Sequence, residues 1–258
     1  METRRVREIE CTLPIGYEDE DGRLHRTAVL RKMTGRDESI IADKAHRNNA
    51  SRMITELLTS CLMRIGSVER PSRNVVQALY SADRYFLLMK LRELTFGAEM
   101  QATYSCPTCR EAMTTVEDLS TLEVVSLIDG EVAQDVVVEL NDGYADGDGA
   151  LYTTMVFRYP RGSDEEKVAP AIRDNASQGK NALMARCLKA VGDMPQARME
   201  ALGTAIFNDL TLGDRAIVDK ALNDSSSPGM KMRRELTCGS CGRRFTASLD
   251  LSNFLAVS

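Results

Sequence analysis

Residues 16–38 read GYEDEDGRLHRTAVLRKMTGRDE, and residues 143–165 read GYADGDGALYTTMVFRYPRGSDE. Set against each other without a gap, at an offset of 127, 12 of the 23 positions are identical. Self-similarity at a fixed spacing is read before any local pattern, because it decides how many structural units a chain holds. The likeness extends outward in the same order. AHRNNAS at 45–51 faces AIRDNAS at 171–177, Asp83-Arg84 faces Asp214-Arg215, and Cys106-x-x-Cys109 faces Cys238-x-x-Cys241. The offset drifts from 127 to 126, 131 and 132, as loop insertions would produce. Residues 10–130 and 136–258 therefore read as two copies of one unit, with domains expected at 1–130 and 131–258.

Each copy opens with an extended segment, Glu10–Leu13 or Val136–Leu140. An acidic, glycine-containing turn follows, and its Asp21-Gly22 or Asp148-Gly149 is a hairpin signal because glycine tolerates positive φ. The acidic oxygens do not keep the spacing of a calcium loop, so a solvated turn is the favoured reading. The return strand is Leu24–Arg31 or Leu151–Arg158, apolar at alternate places. Thr34, followed by Asp37 and Glu38, marks a helix start. Met53, Ile54, Leu57, Leu58, Cys61 and Leu62 lie at helical spacing and predict a helix over 51–65. Another runs from Ser81 to Gly97, and the second copy should hold helices near 163–174, 178–191, 195–207 and 212–223. Their methionines and aromatics read as core. Residues 118–135 read as a linker between the halves, and Ser225–Gly229 as a loose loop.

The chemistry rests on the two C-x-x-C pairs. Two intervening residues let both thiolates turn onto one side of a tight turn, and two such turns complete a tetrahedral sulfur site. Each pair precedes an alternating strand and then Asp-Leu-Ser, at 118–120 and 250–252. The chain has only two histidines, His25 and His46, and neither lies near a knuckle. Cys106, Cys109, Cys238 and Cys241 are therefore expected to bind one structural Zn²⁺ per chain, at about 2.3 Å per sulfur. The expected fold is α+β: two tandem copies of a β-hairpin, a helical bundle and a zinc-knuckle hairpin, joined by a shared four-cysteine site. Redox dithiols would each open a helix, whereas these precede strands. Cys11, Cys61 and Cys187 read as small buried hydrophobes.

Several function classes recede. The sequence has no G-x-S-x-G, no H-E-x-x-H and no phosphate-binding glycine loop, and a closed sulfur site leaves no position for catalytic water. No enzymatic activity and no small-molecule substrate are expected. The 258 residues carry a net charge of −5, which forces no basic surface. Lys231, Arg233, Arg234, Arg243 and Arg244 do cluster around the second knuckle, so a zinc-ribbon regulator that binds nucleic acid is the alternative reading. Glu117 and Asp118 on the first knuckle weigh against it. Apolar runs fall short of the ~18 residues of a spanning helix, so no membrane insertion is expected. The amino terminus has no apolar signal core, and in the cytoplasm paired cysteines favour metal over disulfides.

One combination carries a resemblance. It comprises Leu13-Pro14-x-Gly16-Tyr17 with its acidic turn, then Arg31-x-Met33-Thr34-Gly35-Arg36-Asp37-Glu38. Asp83-Arg84, Leu94-Thr95-Phe96-Gly97 and Cys106-Pro107-x-Cys109 follow. In this the chain resembles the baseplate hub assembly chaperone family of T-even-type phages, which also occurs in gene clusters of contractile injection systems. The second copy departs from the pattern, with Asn141-Asp142 in place of Leu-Pro. The resemblance implies partners among the hub, tube or spike proteins of a tail. It also implies a place in the host cytoplasm during assembly, with retention in the virion baseplate as the further option. It carries over no catalytic residue.

Overall fold

The acidic hairpin forms as its alternation requires. In the computed structural model, which describes residues 7–46, 48–222, 224, 226–249 and 254, β1 (Glu8–Glu18) pairs antiparallel with β2 (Leu24–Arg31). Helices α1 (Gly35–Ala42) and α2 (Ala50–Cys61) follow, then β3 (Leu62–Ile65) and β4 (Val68–Glu69), which extend the sheet in the order β1-β2-β3-β4. Next come α3 (Arg73–Ala78), α4 (Ser81–Phe96), and the first knuckle hairpin, β5 (Glu99–Ser105) with β6 (Ala112–Asp118). β7 (Val124–Val125) lies in the linker.

The second half also opens with a hairpin, two helices and a short strand and ends on a knuckle hairpin. Among the described residues it has no counterpart of β4, and it has three helices where the first half has two. β8 (Val136–Ala145) pairs with β9 (Leu151–Phe157), followed by α5 (Gly162–Asp174), α6 (Ala176–Cys187) and β10 (Leu188–Val191). Then come α7 (Gln196–Leu202), α8 (Ala205–Asp209), α9 (Leu212–Leu222), β11 (Gly229–Met230), and the second knuckle hairpin, β12 (Arg233–Thr237) with β13 (Arg244–Ser248).

Three expectations are corrected. The helices read as 51–65 and 178–191 stop at Cys61 and Cys187, and the next four residues are strand. Four residues with one charge among them, LMRI or LKAV, fit either period. Here the open edge of the hairpin sheet decides, and Ala28 pairs with Ile65 and Leu30 with Leu62. The helix read as 195–207 breaks in two at Gly203-Thr204. The linker is also more than a tether: β7 pairs with β11, the last strand before the second knuckle.

The short motifs have local structural jobs. β1 and β8 each carry a bulge, where the register shifts between Thr12 and Tyr17 and between Glu139 and Tyr144. Gly16 (φ 111) and Gly143 (φ 82) sit in these bulges, in a backbone region that side chains rarely adopt. A bulge frees N–H groups from the ladder, and a buried unpaired N–H is costly. Asp83, the third residue of α4, accepts from the Ile15 and Gly16 N–H at 2.9 and 2.8 Å. Asp214 in α9 accepts from Asn141, Asp142 and Gly143 at 2.7, 3.1 and 2.9 Å. The strand-end arginine and the helix-start aspartate form the second device. Arg31 grips Asp37 through two bonds of 2.8 and 3.0 Å, and Arg158 grips Asp164 at 2.7 and 3.0 Å. Each aspartate also accepts the backbone N–H at its helix start, from Thr34 or Arg161.

The halves meet where the start of α5 docks on α2, α3 and α4. Gly162 donates its N–H to the Leu79 carbonyl at 3.0 Å, and Ser81 donates to Pro160 at 2.9 Å. Glu166 accepts from Arg73 (2.8 Å), Gln77 (2.9 Å) and the Thr55 hydroxyl. Asn49 donates to the Glu166 carbonyl, and Ser51 reaches Glu165 at 3.3 Å. Arg84, 1% exposed, lies directly against Gly162: a Cβ there would stand 1.4 Å from its Nη1. Its Nη2 is anchored on the Ser51 carbonyl and the Thr55 hydroxyl, at 2.7 and 2.9 Å.

Two apolar cores result. One lies among β1–β3, α2–α4 and the first knuckle hairpin, and the other among β8–β10 and α6–α9. The second knuckle hairpin packs on the first of these: Leu249 joins it, with Leu236 and Ala247 against it.

Candidate metal centre

Both C-x-x-C turns have the same backbone. The Cys106 N–H donates to the Glu111 carbonyl and the Arg110 N–H to the Cys106 carbonyl, each at 2.9 Å. Cys238 with Arg243, and Gly242 with Cys238, repeat both bonds at 2.9 Å. These closures turn each pair of sulfurs to one side. Register within β5–β6, where Tyr104 faces Met113, and within β12–β13, where Leu236 faces Phe245, fixes where the turns fall.

The two turns then come together across 129 or more residues of chain. Cys106 Sγ lies 3.7 Å from Cys241 Sγ, and Cys109 Sγ lies 3.5 Å from Cys238 Sγ. All four sulfurs fall within 4.8 Å of one another. Cys106 and Cys238 are buried, while Cys109 and Cys241 face solvent. A tetrahedron with bonds of about 2.3 Å has edges near ~3.8 Å, so the donor set suits a metal that takes four thiolates. The thiols also perturb one another. The Cys109 and Thr108 N–H groups pull Cys106 down to about 6. At Cys109 the Glu111 N–H favours the thiolate, yet the neighbouring sulfurs and burial push the thiol up to about 12. Like charges this close cannot all form unless a cation lies among them.

The sulfurs are braced from outside. Glu117 on β6 pairs with Arg234 on β12 at 2.7 Å, and it accepts the Tyr104 hydroxyl at 3.0 Å. Glu117 is 5% exposed, so the carboxylate side of this bridge is shielded from water, while Arg234 stays half-buried. Neither residue stands out in the sequence as a partner of the other. Arg234 reads as part of a basic cluster and Glu117 as an acid that opposes it. That cluster is partly used up within the fold, because Lys231 also donates to the Ser227 carbonyl.

The other sequence candidates fall elsewhere. Asp118 accepts from the Ser120 N–H at 2.9 Å and Leu119 enters the core, whereas Asp250–Ser252 lie outside the described residues. The acidic turns hold themselves. Asp19 accepts from the Asp21 and Arg23 N–H, and Asp146 from Asp148 and Ala150. Cys61 and Cys187 are buried and Cys11 half-buried; burial pushes their thiols up to about 12, 12 and 11, far from reactive thiolates. No described helix is long and apolar enough to cross a membrane.

A family model described as T4 bacteriophage base plate protein matches residues 6–256. No curated protein and no solved structure matches the chain.

Proposed function

The chain belongs to the T4 bacteriophage base plate protein family, and from that membership we propose a non-enzymatic structural or assembly protein of the baseplate hub. It serves a contractile phage tail or a related injection system. The match over residues 6–256 carries this reading, because it spans both halves and both knuckles. The protein acts by binding neighbouring hub, tube or spike proteins, in the host cytoplasm during assembly, as a chaperone or as a retained component. Its two halves, 1–130 and 131–258, are copies of one unit. Cys106, Cys109, Cys238 and Cys241 hold one structural Zn²⁺, which fixes the second knuckle hairpin to the first. What supports the zinc is the closeness of the four sulfurs, and what supports the copies is the matching pair of aspartate-capped bulges.

The test is a mass-spectrometric inventory of baseplate intermediates purified through this protein. Hub, tube or spike proteins should copurify over interfaces of at least ~1,000 Å², the usual floor for a specific contact. A tight, sequence-selective complex with DNA or RNA at physiological salt would overturn the reading in favour of the zinc-ribbon regulator. Metal analysis of the pure chain should give about one zinc, the content of one four-sulfur site.

A further inference from the structure

The contact between the halves joins two different surfaces. The second half contributes the start of α5, and the first half receives it on α2, α3 and α4. Such a head-to-tail contact leaves one unused surface of each kind at the ends of the tandem. Those surfaces can be located residue by residue, on the reading that the halves are copies.

The unused projecting surface is the start of α1. Gly35 matches Gly162, Glu38 matches Glu165, and Ser39 matches Glu166, at the offset of 127. Gly162 is buried, but Gly35, Glu38 and Ser39 are all exposed. A Cβ on Gly162 would strike Arg84, whereas a Cβ on Gly35 would meet nothing within 4 Å. Gly35 also has no positive φ to require glycine. Nothing among the described residues accounts for a glycine there.

The unused receiving surface lies on α6, α8 and α9. Arg215 matches Arg84, and it reaches the same two helix positions: Ser177 Oγ at 3.1 Å and Asn181 Oδ1 at 2.7 Å. Ser51, Ser81 and Arg84 are buried under α5, yet Ser177 and Leu212 are exposed and Arg215 is half-buried. Leu212, which stands where Ser81 does, is 78% exposed. Arg215 Nε is buried without a hydrogen-bond partner, as Arg84 Nε is in the contact between the halves, so the two arginines are held alike.

The two surfaces also match in charge. Where the projecting side keeps its acid, Glu38 for Glu165, the receiving side keeps its base, Arg215 for Arg84. Where the projecting side loses its acid, Ser39 for Glu166, the receiving side loses its base, Thr204 for Arg73. Asn208 retains the amide of Gln77. We infer that the start of α1 in one copy of this chain docks on α6, α8 and α9 of a second copy, with Gly35 against Arg215 and Glu38 beside it. The chains thus join head to tail, and they close into a ring or extend according to the rotation at each contact.

Three variants of the full chain test this by light scattering and sedimentation up to about 100 μM. The wild type should rise with concentration through multiples of 28.6 kDa. Gly35→Leu and Arg215→Glu should each remain at the mass of one chain, with unchanged circular dichroism. Mixed in equal amounts they should form dimers and stop there, since one intact contact remains. A wild type that stays monomeric, oligomers that survive both variants, or a mixture that stays monomeric would each overturn the inference. Gly162→Leu separates this from the reading of the halves as copies. If it lowers the melting temperature while Gly35→Leu leaves the oligomers intact, only the contact between chains fails. If it changes nothing, the internal contact used as template fails as well.

Discussion

The two knuckle hairpins are alike in turn and register, yet only the first is supported by its own half. Ala102 and Tyr104 of the first enter the core built by β1–β3 and α2–α4. Leu236, Ala247 and Leu249 of the second pack on that same core, and the apolar core of the second half closes without them. The second hairpin is thus placed by pairs that reach to the first half: Cys238 and Cys241 beside Cys109 and Cys106, Arg234 on Glu117, and β11 on β7. A repeated sequence does not imply that each repeat is self-sufficient. In this chain the knuckle works as a clasp between halves.

The largest effect should come from opening the clasp. If the four thiolates hold zinc as proposed, Cys109→Ser or Cys238→Ser should release it, with a loss of several kcal/mol, because binding energy at a structural zinc site is folding energy. The damage should be uneven. Hydrogen exchange should rise across β12–β13 and β7–β11 well before it rises in α4 or β9. Equal loss of protection throughout both cores would show that the hairpin is not a separate clasp.

Next in size are the bulge aspartates. Asp83→Ala strands two buried N–H groups and should cost about 2–4 kcal/mol in urea unfolding, whereas Asp214→Ala frees three N–H groups that are only partly buried and should cost about 1–2 kcal/mol. The cost at Asp214 should be the smaller one, because water can replace part of the bonds lost at the more exposed bulge. A negligible cost at Asp214 would show that the second bulge has become dispensable.

These devices also mark how far the sequence could be read. The hairpin strands were legible from the Asp-Gly turn between them and from alternation at the end of the return strand, where Ala28 and Leu30 are buried between half-buried neighbours. The sulfur cluster was legible because C-x-x-C spacing describes half of a closed site. Leu62–Ile65 was not, since a four-residue segment with one charge in it takes its state from the sheet edge beside it. The Asp-Arg pair was visible as a match between the halves and as part of the family resemblance, but its structural role was not. Asp83 serves a bulge 67 residues away, and Arg84 serves a contact with the other half, and neither distance leaves a local signal.

The acid response should separate two kinds of buried aspartate. Burial works against ionisation at Asp37 and Asp164, but the arginine grips outweigh it and hold both below the usual carboxylate range. A depressed carboxyl contributes stability above its unfolded pKa of about 3.9, lost as pH falls through the folded value. Asp83 has the opposite sign. Burial raises it to about 6, against its two N–H bonds. Its contribution is present below about pH 4 and is lost as pH rises towards 6, on the order of 1–3 kcal/mol. Asp83→Asn should therefore flatten the stability profile between pH 4 and 6, while Asp37→Asn should flatten it below pH 4. A wild-type profile without slope between pH 4 and 6 would show that the two N–H bonds outweigh burial.

The smallest expected effect divides the two matched glycines most sharply. At Gly162 an added methyl meets the guanidinium of Arg84, which is buried and anchored through Nη2, so Gly162→Ala should cost about 1–3 kcal/mol. At Gly35 the same methyl enters open space at the first position of a helix, with a backbone that alanine adopts freely. Removing glycine there lowers the entropy of the unfolded chain, so Gly35→Ala should stabilise the monomer by roughly 0.5 kcal/mol. If Gly35 meets Arg215 of a second copy as Gly162 meets Arg84, that methyl strikes a guanidinium only in the assembled state. The variant should melt slightly higher when dilute and associate more weakly when concentrated. No local packing defect gives that combination, because a defect lowers both. A Gly35→Ala chain that melts higher and associates as the wild type does would confine the glycine–arginine contact to the seam between the halves.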